Sequence, residues 1–236
     1  MHIDVSIPDV FSHPTVRSLA SLLGDAEKQV FSHILSLPDQ ASYPVSSAQK
    51  RLYILHQLEY EDTSYNLPGA MLITGKLNLE RLEKSFCTII SRHESLRTSF
   101  AMEDDSLVQR IHKEVPFHVE MIDRGKKELA ELISLFVRPF ALSAVPLMRV
   151  GIITLSEQKH LLLFDMHHII SDGASIRLLI EEFLRVEKGE ELPVLPIQYR
   201  DFCAWQQAEN LGSRLAEDEE FWLAHFAGEI PVLNLP

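Results

Sequence analysis

The run MRVGIITLSEQKHLLLFDM, residues 148–166, reads as two apolar strands that double back at Ser156 to Lys159, which commits the chain to at least one antiparallel strand pair. A second hairpin is expected in LRTSFAMEDDSLVQRIH, turning at Glu103 to Ser106, and further extended runs at Ala70 to Thr74, closed by Gly75, and in FHVEMID. Helical spacing fills the intervals. Ser46 with Gln49 three residues on is a capping-box pattern, opening a helix that runs to about Glu59. Leu79, Leu82, Phe86, Ile89 and Ile90 recur at helical spacing, and KKELAELISLFVRPF and ASIRLLIEEFLRVEKG, the latter closed by Gly189, are helical as well. YRDFCAWQQAEN and SRLAEDEEFWLAHFAG give two more helices before IPVLNLP. Helices and hairpins in this order define an α/β layered domain with a mixed or largely antiparallel sheet.

The beginning of the chain stands apart. FSHPTVRSLASLLG places Pro14 in a first helical turn, Val16, Leu19, Leu22 and Leu23 on one face, and Gly24 at the expected helix end. One amphipathic helix cannot enclose a core, so it must pack on a neighbour or end a domain that starts upstream. DAEKQVFSHILSL predicts a second helix up to Pro38, and PDQASYPVSS reads as a linker with two prolines.

With 236 residues, 46% of them hydrophobic, the chain can bury a core in one or two domains. Its 34 acidic against 22 basic residues give a net charge of -12, which repels nucleic acid and anionic membrane. Its apolar runs fall short of the ~20 residues of a membrane span, and no basic segment with an apolar signal core opens it, so a cytoplasmic location is expected. Cys87 and Cys203 sit in helical patterns with no base nearby in sequence, as buried thiols of a reducing compartment would.

The chemistry concentrates in LLLFDMHHIISDGASIRLL, residues 161–179. Successive strand side chains point to opposite faces, so His167 and His168 cannot share one small metal site, and no C-x-x-C or third nearby ligand accompanies them. The geometry suits acid–base chemistry: one imidazole faces the core while the other projects from the strand end into a cavity. Asp172 and Gly173 turn the chain into the next helix, where Asp172 can simply cap it and glycine permits close approach of a substrate.

This string resembles the HHxxxDG motif of the condensation domains of non-ribosomal peptide synthetases. SSAQKRLYIL (46–55) and RHESLRTSF (92–100) are similar to the first two core motifs of that family, MHHIISDG (166–173) to the third, and YRDFCAWQ (199–206) to the fourth. VFSHPTVRSLASLL is similar to the last helix of the peptidyl carrier domain that precedes such a domain. One departure occurs in RPFALSAVPLMR, where Ala141 stands in place of the family's aspartate.

The resemblance implies a chloramphenicol-acetyltransferase-like two-layer sandwich with a mixed sheet and packed helices, forming one lobe of a V-shaped domain. Residues 1–23 would be the carrier tail, 24–41 a linker, 42–190 the N-terminal lobe, and 191–236 crossover helices toward a missing C-terminal lobe. The implied reaction is amide formation between a donor thioester, L-configured, and the amine of an acceptor aminoacyl thioester. Both would be carried on 4'-phosphopantetheine of upstream and downstream carrier domains, with an adenylation domain in the same module and no cofactor or metal on this chain. His168 would touch the amine as general base or orienting acceptor, and His167 would hold the strand end. Asp172 would pair with an arginine, and the Gly173 N–H would accommodate the oxyanion. Arg97, like Arg92 and His93, invites a catalytic reading, but the end of a helix favours structural ion pairs. Heterocyclising relatives replace the first histidine by aspartate, and epimerisation relatives continue Asp-Gly-x-Ser-Trp, whereas Ile176 follows Ser175 here. An epimerisation domain and a non-catalytic docking or scaffold domain are the alternatives. The isolated chain is expected to be inactive, because the cleft needs both lobes.

Overall fold

A computed structural model describes residues 7–25, 34–210 and 213–228. The chain divides into two compact units, Met1–Ile34 and Leu35–Pro236, a division that falls inside the expected linker.

In the larger unit β6 (Met148–Ser156) and β7 (Lys159–Met166) form the antiparallel hairpin, with Val150 opposite Phe164 and Ile152 opposite Leu162. They are the inner strands of a four-stranded sheet in the order β2-β7-β6-β5. Here β2 (Gly69–Thr74) runs antiparallel to β7, and β5 (Glu120–Ile122) runs parallel to β6, so the sheet is mixed. Alternation along β6 and β7 sends Val150, Ile152, Leu162 and Met166 into one core, with Leu82, Ile89 and Ile90 of α4 (Leu79–Arg92) and, at its margin, Ile176, Leu179 and Phe183 of α6 (Gly173–Glu187). Ile153 and Leu163 face the other way, against Leu132 and Phe136 of α5 (Leu129–Phe136). A strand with apolar partners on both faces reads as an unbroken hydrophobic run, which is why residues 161–164 carry no polar alternation.

A separate three-stranded antiparallel sheet pairs β1 (Tyr43–Pro44) with β4 (Ser106–Ile111), and β4 with β3 (Thr98–Glu103). Its two-residue turn holds Asp104 and Asp105 at φ 45° and 61°, a left-handed pair matched to the strand twist that aspartate tolerates better than most residues. Helix α3 (Ser47–Leu58) begins as its capping box predicts: Ser46 Oγ accepts from Gln49 N at 3.1 Å, and Gln49 Oε1 from Ser46 N at 3.0 Å. The remaining helices of this unit are α7 (Tyr199–Asn210) and α8 (Ser213–His225).

Several expectations are revised. In the smaller unit the helix near Pro14 is two helices, α1 (Ile7–Ser12) and α2 (Val16–Asp25), because Thr15 and Ser18 cap the second reciprocally and leave Pro14 between them. The helix expected in DAEKQVFSHILSL falls largely on residues 26–33, outside the described residues, and PDQASYPVSS contains β1. Only three residues of FHVEMID pair as a strand; Phe117 and Val119 are buried, but Val119 N donates to Glu83 Oε1 of α4 at 2.9 Å instead of to a neighbouring strand. The helix in KKELAELISLFVRPF stops at Phe136, since Pro139 disfavours helical backbone at the residue before it.

Between the sheet and α5 the packing is close at Gly151, where a Cβ would lie 2.8 Å from both Phe136 and Ile122. Gly151→Ala is therefore expected to destabilise the fold by about 1–3 kcal/mol, relieved in part by Phe136→Leu. Urea denaturation of the single and double variants checks this, and a silent single variant would show the α5 layer to be loose.

Candidate active site at the end of strand β7

Where β7 ends, the two histidines diverge as strand geometry requires. His167 is 2% exposed; its Nδ1 accepts from Ile169 N at 3.0 Å, which leaves the ring proton on Nε2. Its ring meets His56 and Phe140 edge-on. Burial, reinforced by the charges His56 and His168 would carry, pushes the His167 imidazole down to about 4. His168 is exposed, and its Nδ1 lies 2.8 Å from the Ser171 carbonyl oxygen. A carbonyl can only accept, so Nδ1 carries the proton and the Nε2 lone pair is left free to act as a base. The strand end is pinned by His167 N to Leu147 O at 3.0 Å and His168 N to Tyr65 O at 2.8 Å.

A cavity of about 190 Å³ opens beside His168, lined among others by Gln49 and Leu52 of α3, Ser95, Asp172, Ser175 of α6 and Tyr199 of α7. Asp172 is the N-cap of α6: its Oδ1 accepts from Ser175 N at 2.7 Å and from Ser175 Oγ at 2.6 Å. Those bonds to Ser175 hold its carboxyl below the usual range. Among the described residues no arginine pairs with Asp172, whose capping bonds engage Oδ1 alone. Gly173 opens α6 with open space where a Cβ would stand.

The arginine–aspartate pair at this strand end is Arg149–Asp165, at 3.1 Å, with Asp165 fully buried. Burial pushes the Asp165 carboxyl up, and Arg149 and the 2.8 Å bond from Asn66 Nδ2 pull it part of the way back. Arg97 lies outside the cavity, in a groove of about 470 Å³ with Arg200 and Lys113, donating to His112 O at 2.8 Å and pairing with Glu94 at 3.3 Å. Arg92 and His93 both bind Glu182 of α6, at 3.0 and 2.6 Å. Burial would raise the Glu182 carboxyl, but the bonds from Arg92 and His93 outweigh it and hold the group low. The second motif thus ties α4 to α6, and of its residues only Ser95 lines the cavity. Sequence reasoning missed Gln49 and Tyr199 as cavity walls; both stand in motifs of the first and fourth kind, but only the fold brings those motifs to His168. Among the described residues no cluster of metal-ligating side chains occurs, and no helix is long and apolar enough to cross a membrane.

The titration of His167 has a consequence for stability. An unfolded imidazole takes up a proton near pH 6.5, and the folded one only near 4. Between those values the unfolded state binds the extra proton, so stability is full above pH ~6.5 and falls by about 3 kcal/mol toward pH 4. His167→Asn keeps an acceptor for Ile169 N and does not titrate. Its acid limb, followed by urea denaturation, is expected to be flatter than wild type by that amount; parallel curves would mean that folded His167 carries a charge.

The architecture is that of solved condensation-type domains. The X-domain from teicoplanin biosynthesis matches with a TM-score of 0.77 at 24% identity, over 86% of this chain and 47% of that one. The starter condensation domain of rhizomide synthetase RzmA matches with a TM-score of 0.68 at 20% identity, over 80% of this chain and 48% of that one. The fold is the chloramphenicol-acetyltransferase-like α/β sandwich. Residues 39–236 match the Condensation domain family, and the chain belongs to it. It is 46% identical over 236 residues to a plipastatin synthase of Bacillus subtilis (strain 168), covering 99% of this chain and 7% of that protein. To tyrocidine synthase 3 of Brevibacillus parabrevis it is 45% identical, covering 99% of this chain and 4% of that protein. The chain thus spans a small fraction of the curated relatives it matches.

Proposed function

We propose that this chain supplies the N-terminal lobe of a domain that joins a carrier-bound donor acyl group, L-configured, to the amine of a downstream aminoacyl thioester. The observation that carries the reading is the tautomer of His168, whose Nδ1 proton is committed to Ser171 O while Nε2 points a lone pair out of an exposed ring beside a cavity. In the reaction the acceptor nitrogen bonds to the thioester carbon and passes its proton to Nε2. The tetrahedral intermediate then collapses with loss of the donor thiol, which takes the proton. In this reading the Gly173 N–H, next to Asp172 at the start of α6, binds the developing oxyanion.

Donor and acceptor arrive on 4'-phosphopantetheine arms of carrier domains, loaded by adenylation domains of the same assembly line in the cytoplasm. Residues 1–23 are read as the tail of the upstream carrier and 24–41 as the linker that follows. A second, C-terminal lobe completes the cleft, which makes this chain inactive by itself. Rings Phe221 and Trp222 of α8, each more than half exposed, are consistent with cover by a further part of the domain.

A carrier–condensation–carrier protein containing this chain, with both carriers loaded, tests the reading in a single turnover followed by mass spectrometry. Dipeptide on the acceptor carrier supports it. An epimerised donor without dipeptide would identify an isomerase, and no change in either carrier would identify a docking domain. A neighbour of the same fold, the X-domain, is described in a complex with OxyB from teicoplanin biosynthesis, so the last outcome is a meaningful one.

A further inference from the structure

We propose that Gln49 is a positioning residue for His168, and that helix α7 exists in part to hold Gln49 in place; the proposal rests on the amide-forming reading above. Beyond the two amides that pin the strand end, the loop after β7 makes several bonds within itself. Ile169 N donates to the His167 ring, Ile170 N to His167 O at 3.1 Å, and Ser171 O accepts from the His168 ring. The Ile169 carbonyl is instead bound from another element, by Gln49 Nε2 of α3 at 3.4 Å. That is the long end of a hydrogen bond. Ile169 is the residue next to His168, so this bond sets the height of the loop whose Ser171 carbonyl orients the imidazole.

Gln49 is 3% exposed and has no freedom to leave this position. Its Oε1 accepts from Ser46 N at 3.0 Å and from Cys203 Sγ at 3.4 Å, so the amide is oriented with Nε2 toward the loop. The same face of α7 supplies two more contacts at helical spacing. The Tyr199 hydroxyl lies 3.1 Å from Ser46 Oγ, and Gln206 Oε1 accepts from Ser47 N at 2.8 Å. Positions 199, 203 and 206 thus clamp the first turn of α3. That turn carries the one amide that reaches the loop beside His168.

Two variants separate positioning from helix capping. Gln49→Glu keeps the capping box, for which glutamate serves as well as glutamine, but an ionised carboxylate cannot donate to Ile169 O. Ser46→Ala removes the cap and leaves the Gln49 to Ile169 bond. In the loaded carrier assay, Gln49→Glu is expected to slow dipeptide formation at least 10-fold at saturating acceptor with an unchanged acceptor KM, and its deficit relative to wild type at the same pH is expected to narrow toward low pH, where its carboxyl is protonated and can donate again. Ser46→Ala is expected to lower Tm by about 2–4 °C with the rate within 2-fold of wild type. Gln49→Glu turning over as fast as wild type at every pH would overturn the inference, as would equal slowing in both variants. If Gln49→Glu does not fold, Gln49→Met, which breaks the other of the two capping-box bonds, is compared with Ser46→Ala: slower turnover in Gln49→Met alone supports positioning, and equal rates overturn it. Wild type that makes no dipeptide overturns the functional reading, and this inference with it; a wild type that is active sends any failure to Gln49 alone.

Discussion

Replacing His168 by alanine is expected to slow dipeptide formation by about 10²-fold to 10⁴-fold, the size of a lost proton transfer, while leaving folding intact. The side chain is exposed and buries little apolar surface, and the backbone bond from His168 N to Tyr65 O does not depend on it. What alanine also removes is the bond from Nδ1 to Ser171 O, so part of any loss could come from a relaxed loop. His168→Asn separates the two effects, because its amide can still donate to Ser171 O but offers no base where Nε2 stood. If Nε2 takes the proton, both variants are slow to a similar degree. Asparagine restoring most of the rate would show that His168 acts only through the loop, and unchanged turnover in both would leave catalysis to positioning of the two thioesters. Single-turnover rates with loaded carriers and urea denaturation together decide among these outcomes.

Arg149→Met is expected to have the largest effect on stability, about 3–5 kcal/mol, because it strands the fully buried Asp165 carboxylate without its ion-pair partner. The guanidinium does more than neutralise. It lies 3.7 Å from the centre of the Phe140 ring and donates to the carbonyl oxygens of Arg138 at 2.6 Å and Pro139 at 3.2 Å. It therefore fixes the segment that leaves α5 against the strand that carries the histidines. A loss of this size is a large part of the total stability of an ordinary domain. The double variant Arg149→Met/Asp165→Leu removes both charges and is expected to regain most of the loss, since an apolar pair can replace a buried ion pair at little net cost. A single variant with a wild-type urea midpoint would contradict the burial of Asp165.

The elements that organise this fold are legible in the sequence where local chemistry and tertiary demand agree. The hairpin of β6 and β7, the capping box at Ser46 and the turn at Asp104 and Asp105 carry their own geometry in the residues that make them. So do the opposed fates of His167 and His168, which follow from strand alternation alone. The strand expected through Phe117 and Val119 is shorter because a side chain of α4 takes the hydrogen bond a neighbouring strand would have taken, and nothing local to that segment announces Glu83. The capping of α6 by Asp172 is legible as well, and its partner is the serine three residues on. Gln49 and Tyr199 are visible as letters of motifs, but their role as cavity walls depends on contacts 120 and 153 residues apart in the chain.

On the proposed reading, the order of strands divides what reacts from what is recognised. Strand β7 lies between β2 and β6, with a ladder that reaches Phe164 on the β2 side and Met166 on the β6 side. Around the cavity beside it stand α3, α6, α7 and Ser95, none of which shares a ladder with that strand. Exchanging a wall residue such as Leu52 would reshape the room available to a substrate while the ladders and Gln49 still hold the strand end. Selectivity would then be free to diverge from chemistry, with different substrates served by one unaltered strand.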